Sequence, residues 1–211
     1  MQENESQWLK KALKGDHQAF GSLVETYQRP VYNLCYRMLG NAEDAEDAAQ
    51  ETFLRAYKSM KRYDPKRSFS TWLLSIAAHY CIDQIRRRRY QLVSIEDLPV
   101  PDLPDHKPSV ETSLSRREEQ RRIRALLQVL DATDRAAVVM YYWYDFSYNE
   151  IAEALTLTVS AVKSRLHRAR RKMAEAWIEE KDEETRTGNP SRSPERSPAR
   201  PEALLVERMA P

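Results

Sequence analysis

The residues best suited to chemistry lie near the end of the chain, in Val159-Ser-Ala-Val-Lys-Ser-Arg-Leu-His-Arg-Ala-Arg-Arg-Lys172. At 100° per residue, Val159, Val162, Leu166, Ala169 and Met173 fall in one arc, while Ser160, Lys163, Ser164, His167 and Arg171 centre on the opposite side. The second arc holds donors and cations, which base edges and phosphates accept. Arg165, Arg168 and Arg170 flank it, within reach of backbone phosphates. Just upstream, Phe146-Ser-Tyr-Asn-Glu-Ile-Ala-Glu-Ala-Leu155 opens on a Ser147/Glu150 capping box and reads as a short helix. Short helix, tight turn and longer basic helix make a helix-turn-helix, whose second helix enters the DNA major groove.

Two other charged groups stand apart from this one. Glu43, Asp44, Glu46, Asp47 and Glu51 cluster without a basic residue until Arg55. That face forgoes the i,i+4 ion pairs that would relieve its repulsion, and a basic protein partner would relieve it instead. Arg86, Arg87, Arg88 and Arg89 form an uninterrupted basic run. Upstream of it lie Lys61, Arg62, Tyr63, Lys66, Arg67, Ser68 and Trp72. Aromatics beside arginines suit unpaired bases, with rings stacking while cations follow the backbone. Trp72 fits either that role or a place in the core with Ile76. The net charge of +2, from 34 Lys+Arg and 32 Asp+Glu, hides this segregation.

Other chemistry is poorly supported. His17, His79, His106 and His167 are scattered, His79 and Asp83 form only an isolated i,i+4 pair, and neither a His-Glu-x-x-His sequence nor a Gly-rich phosphate loop occurs. The chain is therefore expected to be no enzyme and to need no cofactor or metal. Cys35 and Cys81 sit in apolar helical patterns and read as buried free thiols. No run approaches the roughly 18 to 20 apolar residues of a membrane helix, and the N-terminus lacks the order of a secretory signal, so a cytoplasmic protein without membrane insertion is expected.

Helices must position these groups. Glycines are absent from 41–187 and alternating apolar patterns are scarce, which indicates an all-α chain. Phe20, Leu23, Val24, Tyr27, Val31, Leu34, Cys35 and Met38 share a helical face. Gly40 stops that helix, and Asn41 caps the next, which turns Ala45, Ala49, Phe53, Ala56 and Met60 inward. Ser70 can cap a third helix, with Trp72, Leu73, Ile76, Ala77, Tyr80 and Ile85 inward. Residues 1–90 then form one small domain and 91–114 an acidic, Pro-rich linker. Residues 115–178 form the helix-turn-helix domain, opening on a Ser115/Glu118 capping box, with the last helix ending near Trp177. Residues 179–211, charged and Pro-rich, are expected to be disordered.

In this order the motifs Asp44-Ala-Glu-Asp-Ala-Ala-Gln-Glu-Thr-Phe53, Phe69-Ser-Thr-Trp-Leu-Leu-Ser-Ile-Ala77, Cys81-Ile-Asp-Gln-Ile-Arg-Arg-Arg88 and the final helix-turn-helix resemble bacterial RNA polymerase sigma factors of the extracytoplasmic-function group, over about residues 10 to 178. The resemblance implies a factor that binds core RNA polymerase and directs promoter-specific initiation, often in a stress response. It implies that Asp44, Asp47, Gln50, Glu51 and Arg55 meet the clamp helices of the beta-prime subunit. Lys61, Arg62, Lys66, Arg67, Trp72, His79 and Arg86 to Arg89 (Arg86, Arg87, Arg88, Arg89) would recognise the −10 element and hold its melted strand. Ser160, Lys163, Ser164, Arg165, His167, Arg168 and Arg171 would read the −35 duplex. An anti-sigma factor is a further implied partner. The alternative, a helix-turn-helix regulator that works without polymerase, leaves the acidic helix and the aromatic-basic helix unexplained. The chain departs from the family pattern at three places. His79 replaces a usual Asn, Thr156 a usual turn Gly, and Ser160-Ala161 a usual Gly-Thr; Thr156 must then accept positive φ or use a different turn.

Overall fold

The computed structural model describes residues 2–93 and 112–187, and among these it is all-helical. Helix α1 (Gln2–Ala12) leads into α2 (His17–Leu39), where Asp16 Oδ1 accepts from the N–H groups of Gln18 and Ala19 at 2.9 and 3.1 Å. Gly40 ends α2 in the left-handed region at φ 88°, as its position predicts. Asn41 then caps α3 (Ala42–Ser59) by accepting from the Asp44 N–H at 2.8 Å.

The buried row of α3 is Ala45, Ala48, Thr52 and Ala56, with Ala49 and Phe53 only half-buried. The core face is thus rotated slightly from the predicted arc. Small side chains win the deepest positions because they let α3 lie close against α2, and the Thr52 hydroxyl is satisfied by the Ala48 carbonyl at 2.6 Å.

A 3-10 turn (Met60–Arg62) and a loop precede α4 (Phe69–Val93). The cap is not Ser70 as expected. Ser68 precedes the helix and its carbonyl accepts from the Trp72 N–H at 3.1 Å, while Ser70 lies in the first turn with its hydroxyl 2.7 Å from that of Ser68. Helix α4 is buried along Leu73, Leu74, Ala77, Ala78, Cys81 and Ile82, and Trp72, Ile76, Tyr80 and Ile85 are half-buried flanks rather than the centre of the inward row. Its apolar surface is broad because it packs on α2 and α3 on one side and on α6 and α7 on another. Cys35 and Cys81 are free thiols at 0% exposure in this core, and hydrogen bonding to Cys35 with burial pushes the Cys81 thiol upward.

Helix α4 continues to Val93 and α5 (Thr112–Gln128) begins before Ser115, so three residues at each end of the expected linker are helical and the remainder lies outside the described residues. Ser115, expected to cap this helix, falls inside it. Helix α6 (Ala132–Tyr144) is capped by Asp131, which accepts from the Thr133 N–H at 3.0 Å. All of Ala132 to Met140 is buried, because α2 and α4 lie on one side and α7 (Tyr148–Ala154) and α8 (Val159–Thr187) on the other. Arg135 is the buried cation of this layer, bonded to the carbonyls of Gln128 and Leu130 at 3.1 and 3.2 Å and to Gln128 Oε1 at 2.7 Å. Burial pulls its guanidinium down to about 10, still charged at neutral pH.

Helix α8 does not end near Trp177. It runs to Thr187, so the first residues of the expected disordered segment are helical, and 188–211 lie outside the described residues. Arg122 on α5 lies 3.7 Å from Glu180 on that extension.

Candidate nucleic-acid interface

The helix-turn-helix is built from α7, a turn and α8. The Ser147/Glu150 box closes in both directions, the Glu150 N–H donating to Ser147 Oγ at 3.2 Å and the Ser147 N–H to Glu150 Oε2 at 2.8 Å. The turn is a Schellman motif, with the Leu157 N–H on the Ala152 carbonyl at 2.8 Å and the Thr156 N–H on the Glu153 carbonyl at 3.4 Å. Its left-handed position is Thr156 at φ 55°, so the chain accepts positive φ there rather than adopting another turn. Thr158 Oγ1 then accepts from the Ala161 N–H at 3.1 Å and starts α8.

On α8, Val162, Leu166, Ala169 and Met173 are buried, whereas Ser160, Lys163, Ser164, His167, Arg168 and Arg171 are exposed. The predicted split into an apolar inward face and a polar outward face is therefore present, although Val159, expected inward with the others, is only half-buried. Arg165 behaves differently: half-buried, it donates to Asp134 at 2.6 Å, and Arg168 approaches the same carboxylate at 3.9 Å. Arg171 pairs with Glu175 at 3.2 Å on the solvent side.

A cleft of about 650 Å³ opens on this face, lined by Tyr148, Lys163, Ser164, His167, Arg168 and Arg170. Tyr148 carries no site signal in the sequence, where it follows the Ser147 cap as an ordinary first-turn residue. Its ring stacks on Tyr141 at 5.4 Å and lies 5.8 Å from Lys163 Nζ. The hydrogen bond to Tyr148 is the main cause that raises the Tyr141 hydroxyl.

The second basic surface divides in two. Lys61, Arg62, Lys66 and Arg67 are exposed on the turn and loop before α4, and Arg86, Arg87, Arg88 and Arg89 at its far end. At about 1.5 Å per residue the two groups are roughly 25 Å apart along the helix. Successive arginines also fan around the axis. Arg86 Nη2 reaches Thr133 Oγ1 at 3.3 Å, and Arg88 forks onto Asp44, so these two point to opposite neighbours. Trp72 sits half-buried in an aromatic cluster with Tyr63 and Phe69, ring centroids 5.0 and 5.6 Å away. The Tyr63 hydroxyl donates to the Arg67 carbonyl at 2.5 Å and fixes the loop over this cluster. His79 is exposed, its Nδ1 2.8 Å from the Ser75 carbonyl.

On α3 the acidic face is partly occupied from within. Asp47 and Gln50 are exposed, Glu51 pairs with Arg55 at 2.7 Å, and Arg55 lies 4.7 Å above the Tyr80 ring. Arg88 holds the Asp44 carboxyl below the usual carboxylate range, with help from Asn41. Leu54 and Tyr57 add exposed apolar area beside these charges. No grouping of His, Cys, Asp and Glu among the described residues could hold a metal ion, and no described helix is long and apolar enough to cross a membrane.

Comparison with known proteins matches residues 23–90 to the family "Sigma-70 region 2" and residues 120–173 to "Sigma-70, region 4". The chain is 38% identical over 170 residues to the ECF RNA polymerase sigma factor SigW of Bacillus subtilis, covering 77% of this chain and 90% of that one. It is 30% identical over 177 residues to the RNA polymerase sigma-H factor of Pseudomonas aeruginosa, covering 80% and 91%. Among solved structures, CnrH in complex with the cytosolic domain of CnrY is similar, with a TM-score of 0.63 and 26% identity over 83% of this chain and 97% of that one.

Proposed function

The chain belongs to the sigma-70 family of RNA polymerase sigma factors, in its extracytoplasmic-function group, and from that premise we propose how its charged surfaces divide the work of promoter-specific initiation. The observation that carries the reading is α8. Its apolar row is packed on α6 and α7, and its exposed row of Ser160, Lys163, Ser164, His167, Arg168 and Arg171 offers donors and cations to a major groove. These residues read the −35 duplex, and Arg165 supports them by tying α8 to Asp134. Lys61, Arg62, Lys66 and Arg67, with Trp72 and His79, meet the −10 element. Arg87 and Arg89 follow its phosphates, joined by Arg86 and Arg88 once their internal partners release them.

Asp44, Asp47, Gln50, Glu51 and Arg55 on α3 bind the clamp helices of the polymerase beta-prime subunit. A basic partner there relieves repulsion on an acidic face where Arg88 and Arg55 already hold Asp44 and Glu51. RNA synthesis belongs to the polymerase, so the chain acts as a specificity subunit in the cytoplasm rather than as an enzyme. An anti-sigma factor is its second protein partner, as the family resemblance implies. Run-off transcription with core polymerase on a library of promoter fragments tests the reading: a discrete set of start sites is expected, and no initiation on any fragment would refute it. Retention of duplex binding without any capture of core polymerase would favour the polymerase-independent regulator.

A further inference from the structure

Helix α1 lies outside the residues that match either sigma-70 region, the first of which begins at Leu23. Trp8, Leu9 and Ala12 pack it on the core, and α2 is the element it rests on. At 100° per residue Glu5 falls on the same stripe, three, four and seven positions before them. A carboxylate gains nothing from an apolar stripe, yet Glu5 is half-buried while Asn4, Ser6 and Gln7 around it are exposed. Its partner is Tyr27 of α2, whose hydroxyl donates to Glu5 Oε1 at 2.8 Å. Burial, and after it this bond, raises the Tyr27 hydroxyl.

Tyr27 carries the contact onward to the loop before α4. Its ring meets Phe69 edge-on at 5.3 Å, Phe69 meets Tyr63 in the same way at 5.6 Å, and Tyr63 lies against Trp72 at 5.0 Å. Tyr63 and Phe69 are 5% and 4% exposed, so neither ring has room to shift alone. Tyr63 completes the path by donating to the Arg67 carbonyl at 2.5 Å, within the loop that presents Lys66 and Arg67. Burial and then the Glu5 charge raise the Tyr63 hydroxyl as well, in keeping with a carboxylate that lies near both phenols.

We propose that Glu5 is a positioning residue for −10 recognition: through Tyr27 it holds the nested rings that carry Trp72 and the Lys66–Arg67 loop, so that α1 sets base discrimination from outside the reading surface. The proposal rests on the function argued above, since it takes that loop and Trp72 as the −10 reader. A hydrogen bond to a carboxylate is short and directional, and without it the Tyr27 ring turns and the rings packed edge-on against it follow. The loop and Trp72 then meet the strand out of register, and a wrong base is penalised less than before.

Competing templates test this with the full chain and core polymerase. One template carries the preferred −10 element, the other a single-base change in it, and both are transcribed in one tube. The ratio of their run-off products does not depend on how much factor is active, so a variant that is merely less stable leaves it unmoved. Glu5→Ala and Tyr27→Phe are each expected to lower the ratio by about three- to tenfold, the factor that one hydrogen bond carries. The double variant is expected to fall no further than the worse single one, because both changes remove the same bond. Glu5→Gln keeps an acceptor and is expected to hold the ratio within about twofold, and affinity for a −35 duplex stays at the wild-type value throughout. Tyr27→Phe preserves the ring packing, so the test stands even where Glu5→Ala loosens α1. An unchanged ratio in either single variant overturns the proposal, as do losses that multiply in the double variant. Failure of the functional reading looks different: wild type yields no product from any template, there is no ratio to lower, and the proposal falls with it.

Discussion

Thr156 offers the most direct measurement of local strain in the DNA-reading unit. It occupies the left-handed position of the turn between α7 and α8 at φ 55°. A side chain with a Cβ pays about 1 to 2 kcal/mol to sit there, and a β-branched one lies at the unfavourable end. Thr156→Gly removes that strain but loosens the unfolded chain, which returns about 0.4 to 1 kcal/mol. The net expectation is about 1 kcal/mol of stabilisation, with Thr156→Asn gaining part of it. Because the two units share a core, the melting unit is the larger one, and a gain of that size raises Tm by about 2 to 4 °C. If the helix-turn-helix unit melts alone, the same gain raises Tm by about 4 to 8 °C. Thermal and urea melts of wild type, Thr156→Asn and Thr156→Gly supply the test. Equal or lower stability of the glycine variant would refute the assignment of strain. The two turn hydrogen bonds, from Leu157 and Thr156 to the carbonyls of Ala152 and Glu153, are backbone to backbone and persist in every variant. Affinity for a −35 duplex should therefore stay within about twofold, under the roughly 0.5 kcal/mol typical of neutral surface changes.

Reversing the charges of Asp47 and Glu51 should weaken capture of core polymerase at least tenfold while leaving affinity for a promoter duplex unchanged; equal loss of both would contradict the division of labour. Lys163→Ala and His167→Ala should each relax discrimination at one or two positions of the −35 element, by about 1 to 3 kcal/mol per lost contact, measured by binding to a library of duplexes. Arg88→Ala should return the Asp44 carboxyl toward the ordinary range, read from its side-chain NMR titration. The linked stability has a definite sign: a carboxyl depressed in the folded state stabilises above its unfolded value near 3.9, and the benefit disappears as pH falls through the lower folded value. Because Arg88 is 47% exposed, that benefit is under about 1 kcal/mol, and an unchanged titration would show the fork to be absent in solution.

The helices and the exposed polar face of α8 are legible because one physical rule, burial on a 3.6-residue period, governs both. Val162, Leu166, Ala169 and Met173 had to face inward, which leaves Lys163, Ser164 and His167 outward whatever the partner elements are. Three helix ends are legible for a similar reason: Asn41, Gly40 and the Ser147/Glu150 box satisfy them without help from distant residues, whereas Ser70 and Ser115 fall inside their helices. The differences have two causes, one local and one tertiary. Apolar spacing fades near Trp177 and predicts the end of α8 there, yet Glu, Lys and Arg propagate a started helix to Thr187 without a core to bury it against. The apolar spacing of α3 points Ala49 and Phe53 inward, but the close approach of α2 favours Ala48 and Thr52.

What the pattern could not convey is the identity of a charged group's partner. Arg165 and Lys163 are both cations on α8, two positions apart, and 200° of rotation sends one to Asp134 and leaves the other in solvent. Arg86 and Arg88 are divided in the same way between Thr133 and Asp44. The spacing of these residues was readable, but their targets depend on α6 and α3, whose positions follow from tertiary packing. For the same reason the seam between the units was invisible, since Val138, Val139, Met140 and Tyr144 have the pattern of an ordinary amphipathic helix and nothing local distinguishes a core from an interface. A residue such as Arg135 carries the distinction: a guanidinium buried within the helix-turn-helix unit that still reaches a carbonyl of the other unit makes separation costly, because its departure leaves the Met38 carbonyl without that partner.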